Sequence, residues 1–331
     1  MDREIQRPRN TLASWTKRIA AITLFLVVAA GALSAASAAA SAPRAEAQDT
    51  KRLVIDRYGV AIEYRSEDER VAAKVAGICE KTLPVLADQL GLKAVEPFHV
   101  FLIPDIRAYE ERMGLGLPSW GIAFAFGENQ IMLVDVPRAT SAWNSLEKVI
   151  PHELSHLLLS QRTRGVRMPL WFVEGLAIWQ AGEWSVLESW RLMESVWTNE
   201  AVPIDRIVYA MPREENRARG AYRVAYAAFQ ERFDRRMDLL PGFLEEVVRE
   251  GDFGKGFESY WKETEAQYYA RFNERLESKY ASRLMLFQAG PLFTLISVLF
   301  VAAFLARWLR NRRKLKRMDE REREWPVADD R

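Results

Sequence analysis

The stretch that decides the fold is Val149-Ile150-Pro151-His152-Glu153-Leu154-Ser155-His156-Leu157-Leu158-Leu159. Val149, Leu154, Leu157 and Leu158 recur at helical spacing and give the helix apolar faces that a core can hold. Residues four apart are neighbours on a helix, so His152 and His156 can aim imidazole nitrogens at one point. Neutral imidazole is a good zinc ligand. Glu153 stands beside the first histidine, where a carboxylate can act as general base. The chain holds only three histidines, and the motif uses His152 and His156 at the spacing that a metal requires.

Zinc also needs a third protein ligand. Beyond a polar loop at residues 161–167, which contains Gly165, comes Pro169-Leu170-Trp171-Phe172-Val173-Glu174-Gly175-Leu176-Ala177. It reads as a second helix, and two helices joined by a short loop pack antiparallel. Glu174 stands among Trp171, Phe172, Leu176, Ala177, Ile178 and Trp179. A carboxylate in that company is costly to bury unless it is paired or metal-bound. Glu174 is therefore the expected third ligand. Gly175, which lacks a Cβ, is expected to let the two helices approach closely.

His152-Glu153-x-x-His156 followed by Trp171-Phe172-x-Glu174-Gly175-x-Ala177 resembles the gluzincin metallopeptidases, above all the peptidase MA-like group. The resemblance implies a zincin-type domain with Zn2+ held by His152, His156 and Glu174. It also implies Glu153 as general base and a peptide or protein as substrate. Gly121-Ile122-Ala123-Phe124-Ala125-Phe126 and Gln130-Ile131-Met132-Leu133-Val134-Asp135 are similar to the strands before the motif helix. One of those strands lines the substrate cleft in the family, and the likeness covers residues 98–233. Members also use a Tyr or His on a later helix to stabilise the oxyanion. Tyr222 and Tyr226 are the candidates here, four apart in Gly220-Ala221-Tyr222-Arg223-Val224-Ala225-Tyr226. His99, in an upstream strand, is expected to be structural. The alternative reading is a zinc-binding extracytoplasmic scaffold without turnover, which would normally show a damaged motif. His152, Glu153, His156 and Glu174 are all present. The polar segment at residues 160–167 disfavours an intramembrane metalloprotease.

Upstream, Arg52-Leu53-Val54-Ile55 and Val60-Ala61-Ile62-Glu63-Tyr64 read as strands around a turn at Arg57-Tyr58-Gly59. Residues 67–91 have helical periodicity, with Pro84 inside it and Gly91 as its stop. Residues 98–103, 122–126 and 130–134 read as further strands, and beyond Thr140 the pattern is almost wholly helical. The expected class is α+β, with a small N-terminal mixed sheet and a mostly helical second half.

The chain ends read differently. A basic N-terminus, a short apolar run and small residues in A-x-A order make residues 1–47 a secretory signal, cleaved or kept as an anchor. Either form exports the domain at residues 48–283. Residues 284–306 carry no charge and are long enough to span a bilayer, which takes ~20 residues. The basic run that begins the tail at residues 307–331 places that tail in the cytoplasm. The expected location is the cell membrane, with the catalytic domain periplasmic or on the cell surface.

The 331 residues are 49% apolar, with eleven Trp and sixteen Phe, enough for a sizeable core. Lys plus Arg number 47 against 45 acidic residues, a balance that argues against a nucleic-acid partner and leaves substrate and lipid bilayer as the expected ones. Cys79 is the only cysteine, which excludes an internal disulfide and a thiolate zinc site. It is expected to be a buried structural thiol.

Overall fold

The computed structural model describes residues 50–114, 116–117, 121–142, 145–212, 214–287 and 290–324. The export segment expected at residues 1–47 lies outside the described residues. Strands β1 (Thr50–Ile55) and β2 (Val60–Arg65) open the sheet. Gly59 turns the chain between them at φ +63°, and a Cβ there would also meet the Pro97 ring at 3.0 Å.

Helix α1 (Glu69–Leu90) lays Val71, Val75, Ile78, Cys79, Leu83, Leu86 and Leu90 on its buried face and ends at Gly91 in the left-handed region. It carries the chain back so that β3 (His99–Ile103) lies parallel to β2. Short helix α2 (Ile106–Met113) leads to β4 (Ala123–Phe126) and β5 (Ile131–Asp135). These pair as an antiparallel hairpin, while β5 runs parallel to β3. The order β1-β2-β3-β5-β4 leaves β4 at one edge of a mixed sheet.

After α3 (Val136–Ser141) the chain is helical: α4 (Leu146–Thr163), α5 (Leu170–Gln180), α6 (Val186–Trp197) and α7 (Glu215–Phe233). Then come α8 (Leu240–Glu250), α9 (Phe253–Trp261), α10 (Glu265–Phe287) and α11 (Gly290–Glu324). The architecture is α+β as expected, with a small sheet first and helices after. Helix α4 is central, packing on α1, β4, α5 and α8. Its Leu146, Ile150, Leu154, Leu157 and Leu158 are fully buried. Such side chains each contribute about 1.5–3 kcal/mol on leaving water.

A second part of the core is aromatic. Phe172 on α5 meets Phe229 at 5.6 Å and Phe243 at 5.6 Å between ring centroids, in edge and tilted geometries. Neighbouring Trp171 is fully buried, and its indole N–H donates to the Tyr269 hydroxyl at 3.0 Å. Cys79 is buried as expected. Burial, helped by Glu80, pushes its thiol up to about 12.

The structure departs from one expected boundary. Helix α4 continues to Thr163, through the first residues of the expected polar loop. Its last turn finds partners on neighbouring elements: the Gln161 amide donates to the Glu96 carbonyl, and the Arg162 guanidinium to the carbonyls of Leu90 and Pro241. Polar side chains that are satisfied this way need no loop. At the other end, α10 is described to Phe287 and α11 from Gly290, and residues 288 and 289 between them lie outside the described residues. Among the described residues one stretch is long and apolar enough to cross a membrane, Thr294–Arg312 within α11. It overlaps the expected stretch at residues 284–306.

Candidate metal centre

Helix α4 brings His152 and His156 together with their rings 4.8 Å apart and edge-on, at 80° between planes. Helix α5 supplies Glu174, whose Oε2 lies 3.4 Å from His152 Nε2 and 3.8 Å from His156 Nε2. One ligand atom from each residue fits within 4.8 Å of the others. Ligand bonds of ~2.0–2.2 Å at tetrahedral angles set donor atoms about 3.3–3.6 Å apart. The Glu174–His152 distance falls in that range and the Glu174–His156 distance of 3.8 Å lies just above it, so side-chain adjustment alone would bring the donors to an ion.

The donor chemistry fits a cation as well as the distances do. Burial pushes His156 down to about 4, with the charge of His152 adding to it, so its imidazole is neutral with a free lone pair. Burial would also lower His152, but contacts with Glu174 and Glu183 outweigh it and hold this imidazole well above its ordinary value. The carboxyl of Glu174 is kept below its usual range, against the effect of burial, by the two histidines. A divalent cation and a proton compete for these same nitrogens. The His156 Nδ1 atom is buried without a hydrogen-bond partner, and His152 Nδ1 has only the Glu183 carboxylate at 3.4 Å. That contact is an ion-pair distance and falls short of an aligned hydrogen bond.

Glu153 follows its own logic. Burial raises its pKa to about 8, with Glu174 and Glu183 adding to the shift; His152 and a hydrogen bond from the Ala125 backbone oppose it. Ala125 belongs to β4, so the edge strand and the motif helix meet at this carboxylate. Gly127, at the end of β4, permits the approach: a Cβ there would come within 2.6 Å of Ser160 Cβ on α4.

A cavity of about 280 Å³ opens beside His152, lined also by Ile178, Glu183, Trp184, Tyr222 and Arg223. Helix α7 places Tyr222 there, and the phenol is pushed above its ordinary value by burial and then by Glu174, Glu153 and Glu183. It is therefore a proton-bearing donor at neutral pH. Tyr226, one turn along, stacks flat on Trp184 at 4.0 Å and is almost wholly buried. The helix spacing of the two tyrosines holds, but their surroundings differ. His99 stands on β3 near Glu63, at 3.9 Å, and half its side chain is exposed; it is not part of the His152, His156, Glu174 group.

Gly175 acts otherwise than expected. A Cβ on it would meet the Ala225 carbonyl oxygen and Phe229 Cβ, each at 2.5 Å. Both belong to α7, so the missing side chain admits α7 rather than α4. One residue along a helix turns the direction by about 100°, which sends Gly175 elsewhere than its neighbour Glu174. Sequence reasoning missed Glu183 altogether. It follows Gly182 in the left-handed region just past α5, and no spacing rule marks it. The only signal was an acidic residue close behind the Glu174 helix.

Residues 78–233 match the model of the Peptidase MA superfamily. The chain is also similar to the uncharacterized protein YhcO of Bacillus subtilis (strain 168), at 23% identity over 280 residues, covering 79% of this chain and 83% of that protein. The family match runs from the middle of α1 to the end of α7 and contains His152, Glu153, His156, Glu174 and Tyr222. Residues 78–233 thus form a Peptidase MA superfamily domain.

Proposed function

We propose that this chain is a membrane-tethered zinc metallopeptidase of the gluzincin kind, with its zincin-type domain outside the cytoplasm. The observation that carries the reading is the spacing of His152 Nε2, His156 Nε2 and Glu174 Oε2, at 3.4 and 3.8 Å about one point. His152, His156 and Glu174 hold the ion, which when bound supplies Lewis acidity towards a peptide carbonyl and towards water. Glu153 takes the proton from the attacking water and returns it to the leaving amine nitrogen. Burial holds its carboxyl above the usual carboxylate range, and beside a bound cation it would fall back towards the range in which it can take a proton and return it. Tyr222 donates its O–H to the oxygen on which charge develops. Tyr226, packed on Trp184, holds the wall of the cavity. Glu183 fixes the outer face of the His152 ring, as carboxylates behind ligating histidines do. The domain assignment is an exported segment at residues 1–47, the peptidase at 48–283, then the membrane helix and a basic cytoplasmic tail. The family match, the ligand spacing and the apolar stretch Thr294–Arg312 support it.

The experiment is zinc content and peptide hydrolysis of the purified chain beside its variants. His156→Ala and Glu174→Ala should lose most of the zinc. Glu153→Gln should keep it and lose ~10²–10⁴-fold in rate, and Tyr222→Phe should lose less. Cleavage by Glu153→Gln at the wild-type rate would end the peptidase mechanism, and full zinc in Glu174→Ala would end the ligand assignment.

A further inference from the structure

The outer face of α6 exposes four large apolar side chains, with the exposed charges of Arg191 and Glu194 beside them. Val186 is 76% exposed, Leu187 56%, Trp190 46% and Trp197 63%. At about 100° per residue, positions 186, 190, 193 and 197 fall within a ~60° arc, so Val186, Trp190, half-buried Met193 and Trp197 form one stripe with Leu187 at its flank. The opposite side is anchored, with Leu192 in the core and the helix packed on α7 and α10. Apolar stripes of this kind mark contact surfaces.

We propose that this stripe rests on the surface of the bilayer to which α11 tethers the chain. The helix against which α6 packs, α10, is the one that leads into α11, the helix with the apolar stretch. Two tryptophans in the stripe suit the headgroup boundary, where an apolar ring with one polar edge is most stable. The tether also makes docking intramolecular, so a patch too small to hold a free protein to lipid is sufficient. Helix α6 has no lysine, and Arg191 is engaged by Glu188 at 2.8 Å. The face carries no unpaired lysine or arginine to seek anionic lipid, and exposed Glu194 at its flank gives no preference for it either, unlike a basic surface helix. Trp184 and Glu188, at the start of this helix, line the cavity beside His152, so docking turns that cavity towards segments of substrate close to the membrane.

The test uses the full chain in vesicles of zwitterionic phosphatidylcholine. Val186→Cys and Trp197→Cys are each labelled with an environment-sensitive dye, with Val85→Cys, 52% exposed on α1, as the reference. Native Cys79 is buried and stays unlabelled. Both α6 labels should shift to the blue and be quenched by lipid-borne quenchers, unchanged by salt or added anionic lipid, while the Val85 label stays water-like. Water-like α6 labels in an inserted chain overturn the proposal. So does a blue shift that disappears as chains are diluted in the bilayer, since a second copy then covers the stripe. A chain that fails to float with vesicles overturns the membrane reading on which the proposal rests, and the proposal with it; zinc content and hydrolysis test the peptidase reading separately.

Discussion

At Gly175 a single hydrogen in place of a methyl decides whether two helices can meet. Its Cα faces Ala225 and Phe229 at distances no Cβ tolerates, while Glu174 beside it faces the histidines. Gly175→Ala should cost about 1–3 kcal/mol through overpacking, read as a fall in the denaturant midpoint at unchanged slope. It should also lower metal affinity wherever α5 relieves the clash by shifting, because Glu174 is the residue next to Gly175. Unaltered stability and zinc binding would refute that account. The grouping of His152, His156 and Glu174 was legible in the sequence because a metal site of this kind would impose residue type and helical spacing together. Glu183 was not, because a carboxylate behind a ligand can arrive from any loop and leaves no periodic trace. The role of Gly175 was misread for a similar reason: its missing side chain was plain, but the partner that needs the space is fixed by tertiary packing.

Among the elements, the joint between α7, α9 and α10 depends on charge. Glu263 receives Arg232 and Arg271, and the Arg232 guanidinium also lies 4.0 Å above the Tyr268 ring. These arginines hold the Glu263 carboxyl below its ordinary value despite the opposing effect of burial. A depressed folded-state pKa adds stability that is complete above the unfolded value of about 4.3 and is lost as pH falls through the folded one. The melting temperature of wild type should therefore exceed that of Glu263→Gln at neutral pH. The gap should close below about pH 4, as acid protonates the native carboxylate. A gap that persists into strong acid would mean that the substitution acts through shape and not through charge. The sequence showed the strands and helices themselves, since periods of two and 3.6 are local properties. It did not show the last turn of α4, which depends on partners at Glu96, Leu90 and Pro241.

For the whole molecule, the proposed membrane topology rests on charge. Basic residues crowd both flanks of the chain, and such residues stay on the cytoplasmic side. A reporter enzyme that works only outside the cytoplasm should be active when fused after residue 240 and silent when fused after Arg317. The reverse pattern would put His152 and its neighbours in the cytoplasm. On the proposed membrane reading, the uncharged stretch has a further consequence, one of thickness. Residues 284–306 carry no charge, and as one helix they would rise about 35 Å, against a hydrocarbon layer of about 30 Å. Such a span would tilt to fit, at a cost of a fraction of a kcal/mol for each ångström of mismatch, so that bilayer thickness would set its angle.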